Sequence, residues 1–450
     1  MDKLHKKYHV PVPRYTSYPP ANYFSEDFTS SDYVSTIEDP SNRSLSIYIH
    51  IPFCYRICHY CGCNSYSMRP EKSVQQYVDA VIKEMDMVFA KLDKGRKISQ
   101  IHYGGGSPTS INIKHIERIN NHIFSNLKLI EKPEIAIECH PGYMDKKYIS
   151  SLLNLGFTRF SLGIQDFNDD VLKCCGRTPS LLPVEQVVEL LRSKGATINM
   201  DFIYGLPHQT IENFSESIKK AIAIRPERIV TFCYAHLPSI NPRQRALEEF
   251  GFPTNNEKIE IFETASKLLH EAGYIGIGFD HFVLPEDELA DAVSNGMLHR
   301  NFQGYCTRRT TGDVFAFGVT AISQLYSAYS QNIKDIDKYM SSIENGEFAT
   351  LKGYKLSESE QITREVIESI MCNSKVSFSN VANHLNISVE ELKQNINYDI
   401  ERIKEFVSDE IITFDGDTIS VTEKGVPYVR NIASSFDKLM LKNTKIFSKA

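Results

Sequence analysis

Three cysteines with short spacings are the strongest candidates for inorganic chemistry in this chain. Cys54, Cys58 and Cys61 form a C-x3-C-x2-C pattern, and Cys63 follows two residues later. Thiolates on one short loop can hold a single inorganic centre, and they suit zinc or iron–sulfur clusters. A structural zinc site normally takes four protein ligands, often as two separated pairs, and the sequence shows no second pair with that spacing. The pattern favours a [4Fe–4S] cluster with one iron open to another molecule. A zinc loop closed by Cys63 or a distant residue is the alternative.

Polar and glycine residues recur where β-rich segments end. Gly104–Gly106 follow one such segment, Glu138 and Gln165 lie at the ends of two others, and Asp201 lies in a fourth. Three glycines allow a backbone to approach a ligand closely, although a plain turn would explain them too. Buried polar side chains need partners, so helix capping or internal ion pairs are the alternatives to ligand binding. Their shared position at strand ends favours ligand binding.

The elements that must position these residues alternate regularly. Strands are predicted over 45–51, 98–103, 134–139, 158–164, 197–205 and 228–237, and helices over 72–92, 115–127, 145–156, 183–195, 211–224 and 257–274. Six β-then-α units predict a parallel sheet, either open and doubly wound or closed toward a barrel. Chemistry on such a sheet gathers at the carboxyl ends of the strands, where the polar residues lie.

Two further units flank this α/β core. Residues 1–44 lack periodicity, are rich in aromatic residues and prolines, and predict an irregular N-terminal arm; the core is assigned to 45–350. Residues 351–450 predict a winged-helix-like α+β domain with helices over 359–371, 378–388 and 389–406 and a hairpin over 411–422. The last of those helices would be the DNA-reading one, yet it carries Glu390, Glu391, Asp399, Glu401 and Glu405. Phosphate contacts need a basic face, so DNA binding is not expected.

Composition narrows the class of protein. The 450 residues are 42% hydrophobic and 24% charged, which is ordinary for a globular chain, and the net charge of -6 excludes a generally basic nucleic-acid binder. No stretch approaches the length of a membrane span, and the N-terminus has no apolar signal region. We therefore expect a cytoplasmic protein without membrane partners, whose ten cysteines are reduced thiols.

The cysteine loop after the first strand of a (β/α)6 series resembles the radical S-adenosylmethionine (SAM) superfamily. Within it, the chain resembles the oxygen-independent coproporphyrinogen III oxidases along nearly its whole length. The motifs that carry this resemblance are PRYTSYP (13–19), YIHIPFC (48–54), CGC (61–63), GGGSPT (104–109), GIQDFN (163–168), IYGLP (203–207), YAHLP (234–238) and HRNFQGY (299–305). The three-cysteine motif is specific to the superfamily; PRYTSYP, CGC and HRNFQGY together are specific to the family.

The resemblance implies a partial (β/α)6 TIM-like barrel and a set of site residues. Cys54, Cys58 and Cys61 would hold a [4Fe–4S] cluster that generates the radical, and Cys63 would not be a ligand. The residues implied as SAM contacts, for two SAM molecules, are Tyr48, Tyr60, Gly105, Gly106, Ser107, Glu138, Gln165, Arg177, Asp201, Ala235 and Ile322. The chain departs from the family at His140, where the family carries an acidic residue.

The implied reaction is the oxidative decarboxylation of two propionates of coproporphyrinogen III to vinyl groups. A substrate with four carboxylates needs cations and a large cavity, for which Arg14, Arg245, His281 and Arg300 are candidates. The implied partners are a reduced flavodoxin- or ferredoxin-like electron donor and an unidentified acceptor, and a monomer is expected. The alternatives are a radical SAM enzyme that opens haem or methylates a tetrapyrrole, a haem-binding chaperone on the same barrel, and a zinc-bearing transcription factor. The family motifs and the acidic tail disfavour all three.

Overall fold

A curved sheet of parallel strands forms the centre of the computed structural model, which describes residues 3–38, 44–307 and 312–441. The six strands of the predicted series are β1 (Leu45–Ile51), β2 (Lys97–Gly105), β3 (Lys128–Cys139), β4 (Arg159–Gln165), β5 (Thr197–Tyr204) and β6 (Arg228–Cys233). They pair in chain order, each parallel to the next. A doubly wound sheet would reverse its order at one point, so this unbroken order confirms the predicted partial barrel.

Additional strands extend the sheet at both edges to twelve strands. Those of the sheet are β7 (Ile275–Ile277), β8 (His281–Val283), β11 (Asp313–Phe317), β12 (Ile322–Gln324), β13 (Ala328–Asn332) and β14 (Thr350–Lys355), while β9 (Leu298–Asn301) and β10 (Gly304–Thr307) form a separate hairpin. On one side β11 pairs parallel to β1 and continues into antiparallel β12, β13 and β14; on the other, antiparallel β8 and β7 follow β6. The sequence analysis did not predict these edge strands, of which β7, β8 and β12 have only three residues each.

The helices begin largely where the sequence places caps. They are α1 (Lys3–Tyr8), α2 (Ser30–Ile37), α3 (Glu71–Phe89), α4 (Ile113–Asn126), α5 (Lys146–Asn154), α6 (Asp169–Cys174), α7 (Val184–Arg192), α8 (Ile211–Ile224), α9 (Asn255–Glu271), α10 (Glu288–Ser294) and α11 (Ile336–Glu344). Asn112, Asp145, Asn168, Thr210 and Thr254 each accept a backbone N–H in the first turn of the helix that follows. Such caps satisfy otherwise orphaned donors and fix where each helix starts. No helix among the described residues is long and apolar enough to cross a membrane.

Alternation along the strands separates a polar interior from an apolar exterior. In β4, Phe160, Leu162 and Ile164 are buried, whereas Ser161 and Gly163 between them are less so. Side chains of successive strand residues point to opposite faces, so the apolar set packs on the helices and the polar set faces the barrel interior. The barrel therefore presents hydrogen-bonding groups inward.

The N-terminal arm is not irregular throughout, which corrects the prediction for residues 1–44. It contains α1, a 3-10 helix over Ala21–Tyr23, and α2, which begins at a reciprocal cap between Thr29 and Asp32. Tyr33 and Ile37 on α2 are buried one turn apart. Two short helices of this kind leave too little periodicity to stand out in an aromatic-rich sequence.

The C-terminal region has the predicted winged-helix-like order with one correction. It comprises α12 (Glu358–Asn373), β15 (Lys375–Ser377), α13 (Phe378–Leu385), α14 (Val389–Asn395), α15 (Ile400–Ser408), β16 (Ile412–Phe414), β17 (Thr418–Val421), α16 (Val429–Ser434) and α17 (Lys438–Leu441). The helix predicted over 389–406 is thus two helices. Asp399 accepts the backbone N–H groups of Glu401 and Arg402, and this cap starts a new helix. The three-unit division of the chain at 44 and 350 stays a prediction, and residues 442–450 lie outside the described residues.

A buried carboxylate fastens α3 to the strands beside the first barrel strand. Glu84 accepts hydrogen bonds from Tyr339 Oη at 2.6 Å, Asn332 Nδ2 at 2.6 Å and Gly318 N at 2.9 Å. Its side chain is fully buried, and this burial, opposed by the three hydrogen bonds, raises the pKa of Glu84 to about 7. The contact fixes the turn after β11 next to the end of β1, where the cysteine loop begins.

This raised pKa predicts a specific pH dependence of stability. The pKa of Glu84 is about 7 in the folded state against an ordinary value of 4.5, so the folded state keeps the carboxyl proton up to a higher pH than the unfolded state does. The contribution of Glu84 to the free energy of unfolding therefore falls by roughly 3 kcal/mol as pH rises through that window, and is constant outside it. Glu84→Gln removes this titration, so anaerobic urea unfolding at pH 5 and pH 8 should show the variant gaining on the parent at the higher pH. Glu117→Gln, which changes an exposed carboxylate on α4, is the matched control. An equal stability difference at both pH values would contradict the assignment.

Candidate functional site: a cysteine loop at the mouth of the barrel

The cysteine loop leaves the carboxyl end of β1 and is held by backbone contacts on both sides. Phe53–Cys54 pairs with Tyr66–Ser67, and Met68 N donates to Cys54 O at 2.8 Å. His59 N donates to Cys175 O at 2.9 Å, which ties the middle of the loop to the end of α6. The loop is therefore a built structure that faces the ends of the strands.

A cavity of about 180 Å³ lies between this loop and the ends of β2, β3, β4 and β5. It brings together the three predicted cluster ligands and eight of the predicted cofactor contacts. Its lining residues among these predictions are Cys54, Cys58, Cys61, Tyr60, Gly105, Gly106, Ser107, Glu138, Gln165, Arg177 and Asp201. Residues from six separate segments of the sequence meet there, four of them at the strands whose carboxyl ends the parallel order brings together.

Glycines at the end of β2 make this close approach possible. A Cβ atom on Gly106 would stand 2.5 Å from the carbonyl oxygen of Pro52, and one on Gly105 would stand 2.7 Å from the His50 ring. Gly105 also has a φ of 115°, which disfavours any side chain. Its N–H donates to Glu138 Oε2 at 3.2 Å. The glycines therefore form a cradle of backbone beside the cysteines.

Arg177 places a buried positive charge against the loop. Its Nη1 donates to Tyr60 Oη at 2.9 Å and lies 3.6 Å from Cys58 Sγ, while its Nη2 donates to the carbonyl of Gly163. A buried guanidinium needs acceptors or negative charge around it. Its position against a thiol sulfur fits a centre that carries negative charge.

Asp201 supplies the opposite charge on the far side of the cavity. Its carboxylate accepts hydrogen bonds from Ser161 Oγ at 2.7 Å and Asn199 Nδ2 at 2.8 Å. Burial raises the pKa of Asp201 despite these bonds. A carboxylate held in this way can receive further donors from a ligand.

The thiols of the loop differ in acidity. Burial, with the neighbouring Cys61 and Cys58, raises the pKa of Cys54 to about 12, although Arg177 and Arg243 oppose the rise. A hydrogen bond from Cys63, among other groups, lowers the pKa of Cys61 to about 6. Arg177 and Arg243 act in the direction of the thiolate, which is the form that ligates metal, but at Cys54 burial outweighs them.

The donor set fits an iron–sulfur cluster better than a single metal ion. Within the described part of the chain, no three side chains of Cys, His, Asp or Glu converge as one ion would require. A [4Fe–4S] cluster instead binds its thiolates on separate irons, so three thiols leave one iron open. Three thiols around one cavity, with a glycine cradle and polar strand ends opposite, match that group and a polar ligand beside it.

Three predicted cofactor contacts do not line this cavity. Tyr48 Oη is 3.2 Å from His50 Nδ1, and its ring stacks on His102 at 5.9 Å. Ala235 is exposed, and its carbonyl accepts from Gln244 Nε2, which also donates to Tyr60 O. Ile322 lies on β12, partly buried against the cluster of Phe24 and Tyr329.

Three of the four candidate substrate residues converge on Asp280. Burial alone would raise the pKa of Asp280, but the hydrogen bond and charge of His281, with the charges of Arg300 and Arg14, hold it below its ordinary value. His281 Nδ1 lies 2.6 Å from Asp280 Oδ1, and Arg300 lies over the Tyr305 ring. Arg245 is an exposed residue of the 3-10 helix Pro242–Phe250, apart from this group.

Sequence reasoning missed several residues of the cavity. Ser161, Gly163, Cys139 and His140 also line it, and Arg243 acts electrostatically on Cys54 and Cys61. The alternation in β4 is a signal that could have found Ser161 and Gly163, since both share the strand face of Gln165. Arg243 lies in a 3-10 helix and has no such signal.

The Radical SAM superfamily profile matches residues 48–221, and the HemN C-terminal domain profile matches residues 356–428. The fold and the cysteine loop thus define a radical SAM enzyme. An oxygen-independent coproporphyrinogen III oxidase of Synechocystis sp. is 37% identical over 100% of this chain and 97% of its own length. The oxidase of Escherichia coli is 35% identical over 98% of this chain and 96% of its own length. A solved structure of the Escherichia coli coproporphyrinogen III oxidase superposes with a TM-score of 0.88, covering 94% of this chain and 97% of that one at 35% identity. The chain belongs to the family of oxygen-independent coproporphyrinogen III oxidases.

The ligand assignment predicts different outcomes for neighbouring cysteines. Replacing Cys54, Cys58 or Cys61 by Ala should abolish the visible absorbance and most of the iron, because each removes one of three ligands. Cys63→Ser should keep about four irons per chain after anaerobic reconstitution, since a three-ligand cluster needs no fourth thiolate. Iron analysis and visible spectra of the four variants measure this. If iron in Cys63→Ser falls as far as in Cys61→Ala, the three-ligand assignment is wrong.

Proposed function

We propose that this chain catalyses the oxidative decarboxylation of two propionate side chains of coproporphyrinogen III. The product is protoporphyrinogen IX, formed in anaerobic haem biosynthesis. The observation that carries the proposal is the single cavity on which three thiols, a glycine cradle and strand-end polar groups meet. Relatives that share this chain's whole length are named for the same reaction.

The enzymes of this family use a [4Fe–4S] cluster and SAM, which together supply a 5′-deoxyadenosyl radical that takes a hydrogen atom from the substrate. Cys54, Cys58 and Cys61 would hold the cluster and leave one iron for SAM. The cradle of Gly105 and Gly106, with Glu138 and Ser107, would receive the charged amino acid end of SAM. Backbone groups and a carboxylate at this position orient a zwitterion before any bond changes.

The remaining polar residues support a second SAM molecule. Gln165, Arg177 and Asp201 are more hydrogen-bonding groups than one SAM needs, and the hydroxyl of Tyr60, held by Arg177, adds a fourth. Tyr48, Ala235 and Ile322 do not line the cavity and would contact SAM only at its outer boundary. Two abstractions are required for two vinyl groups, so two SAM molecules match the chemistry.

The substrate would meet the cations around Asp280. Arg14, His281 and Arg300 present positive charge or hydrogen-bond donors there, and the rings of Tyr305 and Phe232 lie against His281. Carboxylates of a tetrapyrrole pair well with such groups, and its ring system packs on aromatic surface. His281 also acts on the charge of Asp201, which links this region to the cofactor cavity.

We also infer the cellular setting from the reaction. A reduced flavodoxin- or ferredoxin-like donor would supply the electron, an unidentified acceptor would take the electron released with carbon dioxide, and the enzyme would act as a cytoplasmic monomer. The unit 1–44 would act as an arm, the unit 45–350 as the catalytic core and the unit 351–450 as a cover over the substrate cavity.

An anaerobic assay tests the function and its stoichiometry together. Coproporphyrinogen III, SAM and dithionite are incubated with the reconstituted protein, and the products are oxidised and separated by chromatography. Protoporphyrin should form through a monovinyl intermediate, with a ratio near two of 5′-deoxyadenosine to product after correction for uncoupled cleavage. The ratio follows because one radical takes one hydrogen atom, and each vinyl group requires one abstraction. A ratio well below one would show that SAM is recycled, and no protoporphyrin would contradict the function itself.

The group of cations around Asp280 predicts that two arginine substitutions will have different effects on substrate binding. Arg300→Gln should raise KM for coproporphyrinogen III about tenfold, because a charge-assisted hydrogen bond to a carboxylate contributes roughly 1.5 kcal/mol. Arg245→Gln removes the same charge from the separate 3-10 helix and should leave KM close to that of the parent. The measurement is steady-state kinetics under argon, with iron content confirming an intact cluster. Equal KM changes in the two variants would show that the cluster around Asp280 does not select the substrate.

A further inference from the structure

Two hydrogen bonds hold the carboxylate of Glu138 at the edge of the cofactor cavity. Gly105 N donates to Glu138 Oε2 at 3.2 Å, and His102 Nε2 lies 3.2 Å from Glu138 Oε1. The Glu138 side chain is 42% exposed and lines the cavity, whereas the His102 side chain is 12% exposed and does not line it. Each carboxylate oxygen can accept more than one hydrogen bond, so Glu138 is held by the protein and still open to a ligand.

The imidazole of His102 directs its hydrogen bonding to Glu138 alone among the described residues. A carboxylate only accepts hydrogen bonds, so the Nε2 atom of His102 must carry a hydrogen and donate it. The Nδ1 atom is buried and makes no hydrogen bond to any described residue. A buried polar atom without a partner is unfavourable, so the place of this ring does not serve the hydrogen bonding of the ring itself. The bond to Glu138 is what the position of the ring provides.

Packing fixes the orientation of the His102 ring. Tyr48 on β1 lies opposite His102 on β2 in the parallel register, and the two rings stack with centroids 5.9 Å apart. Gly104, two residues further along β2, leaves the space for Glu138, since a Cβ atom there would stand 2.7 Å from Glu138 Oε1 and 3.0 Å from the Tyr48 ring. His102 thus contacts two of the residues predicted to bind SAM, although the sequence analysis did not predict a role for it.

We propose that His102 is a positioning residue for SAM, because its Nε2–H group fixes the Glu138 carboxylate in the orientation that receives the ammonium group of SAM. This rests on the proposed function, in which Glu138 and the glycine cradle receive the amino acid end of SAM. A glutamate that could turn freely would have to be ordered when SAM binds, and that ordering would weaken the affinity. With the carboxylate held in advance, His102 contributes to SAM affinity without touching SAM.

Three substitutions separate the hydrogen bond from the packing of the ring. His102→Phe keeps a ring against Tyr48 and removes the donor, and His102→Leu removes both. His102→Gln loses the ring, but its amide nitrogen reaches the position of Nε2 and restores a donor. His115→Phe is the matched control. His115 on α4 likewise has its Nε2 on a carboxylate, that of Glu71 at 2.9 Å, and its Nδ1 likewise without a partner, yet it does not line the cavity.

The readout is the Kd of SAM, measured by equilibrium dialysis with each reconstituted protein under argon and without coproporphyrinogen III. Iron analysis of the same samples shows whether the cluster is intact. His102→Phe is also combined with Glu138→Ala in a double-mutant cycle. A residue that acts only through Glu138 has no effect once that carboxylate is removed, so the cycle separates this route from any other.

We expect His102→Phe and His102→Leu to weaken SAM binding about tenfold, which is the scale of a lost hydrogen bond to a charged group. His102→Gln should bind SAM within about threefold of the parent, because it restores the donor. His115→Phe should match the parent, and every variant should keep its iron. In the Glu138→Ala background, His102→Phe should cause no further weakening.

An unchanged SAM affinity in His102→Phe would overturn the proposal. Equal weakening in the Phe and Gln variants would also overturn it, because the ring and not the donor would then matter. The same holds if the effect of His102→Phe persists in the Glu138→Ala background, or if every variant without the donor loses its iron, since His102 would then serve the fold. A parent protein that holds iron but binds no SAM would contradict the proposed function itself, which distinguishes the two failures.

Discussion

The whole site depends on the close approach of two backbones, the end of β2 and the cysteine loop. Gly106 N donates to Ile51 O at 2.8 Å, and Ser107 N donates to Phe53 O at 3.0 Å. A side chain on Gly106 would collide with the Pro52 carbonyl, and that atom belongs to the backbone and cannot turn aside. Because this contact sets where Cys54 begins its loop, it also determines which strand ends the cysteines face.

Desolvated charge is the second constraint on the site. Arg177 and Asp201 lie in the interior of a barrel, where charges are unfavourable unless they are paired or hydrogen-bonded. Each has partial compensation, through Tyr60 and Gly163 for the arginine and through Ser161 and Asn199 for the aspartate. The remaining capacity of both groups points into a small cavity. An interior built in this way favours a ligand that carries both signs of charge, and SAM has a sulfonium, an ammonium and a carboxylate.

The sequence predicted the strand series and most of the cavity because both depend on local rules. The order of β1 to β6 follows from alternating apolar segments, and their carboxyl ends must lie together in a parallel sheet. Glu138 and Gln165 could therefore be placed from their positions at strand ends, and Asp201 from its position within the fifth strand. Cys58 and Cys61 could be placed from spacing alone.

What the sequence could not predict depends on contacts between distant segments. The resemblance named Arg177 as a contact, but only the structure shows that it touches Cys58, 119 residues away in the chain. The pairing of His140 Nδ1 with Gly142, which leaves Nε2 unpartnered, needs the geometry of a turn. Asp280 was not predicted as a site residue, because a carboxylate is not expected to bind an acidic substrate. Its place among the candidate cations His281, Arg300 and Arg14 is visible only in the structure.

The position of Arg14 shows why the arm and the C-terminal region must be considered together. Tyr15 Oη and Tyr18 Oη donate to opposite oxygens of Asp437 at 2.9 Å and 3.0 Å, and Arg430 donates to the carbonyls of Val12 and Pro13. These bonds hold the segment on both sides of Arg14 against the C-terminal region. Arg14 itself is exposed and reaches the charge of Asp280 at the mouth of the barrel. A cation on a loose arm would lose conformational entropy on binding a carboxylate, whereas one held by its neighbours has already lost it. The winged-helix-like region thus fixes the arm on both sides of Arg14, a role that requires no basic face and is consistent with its acidic α14 and α15.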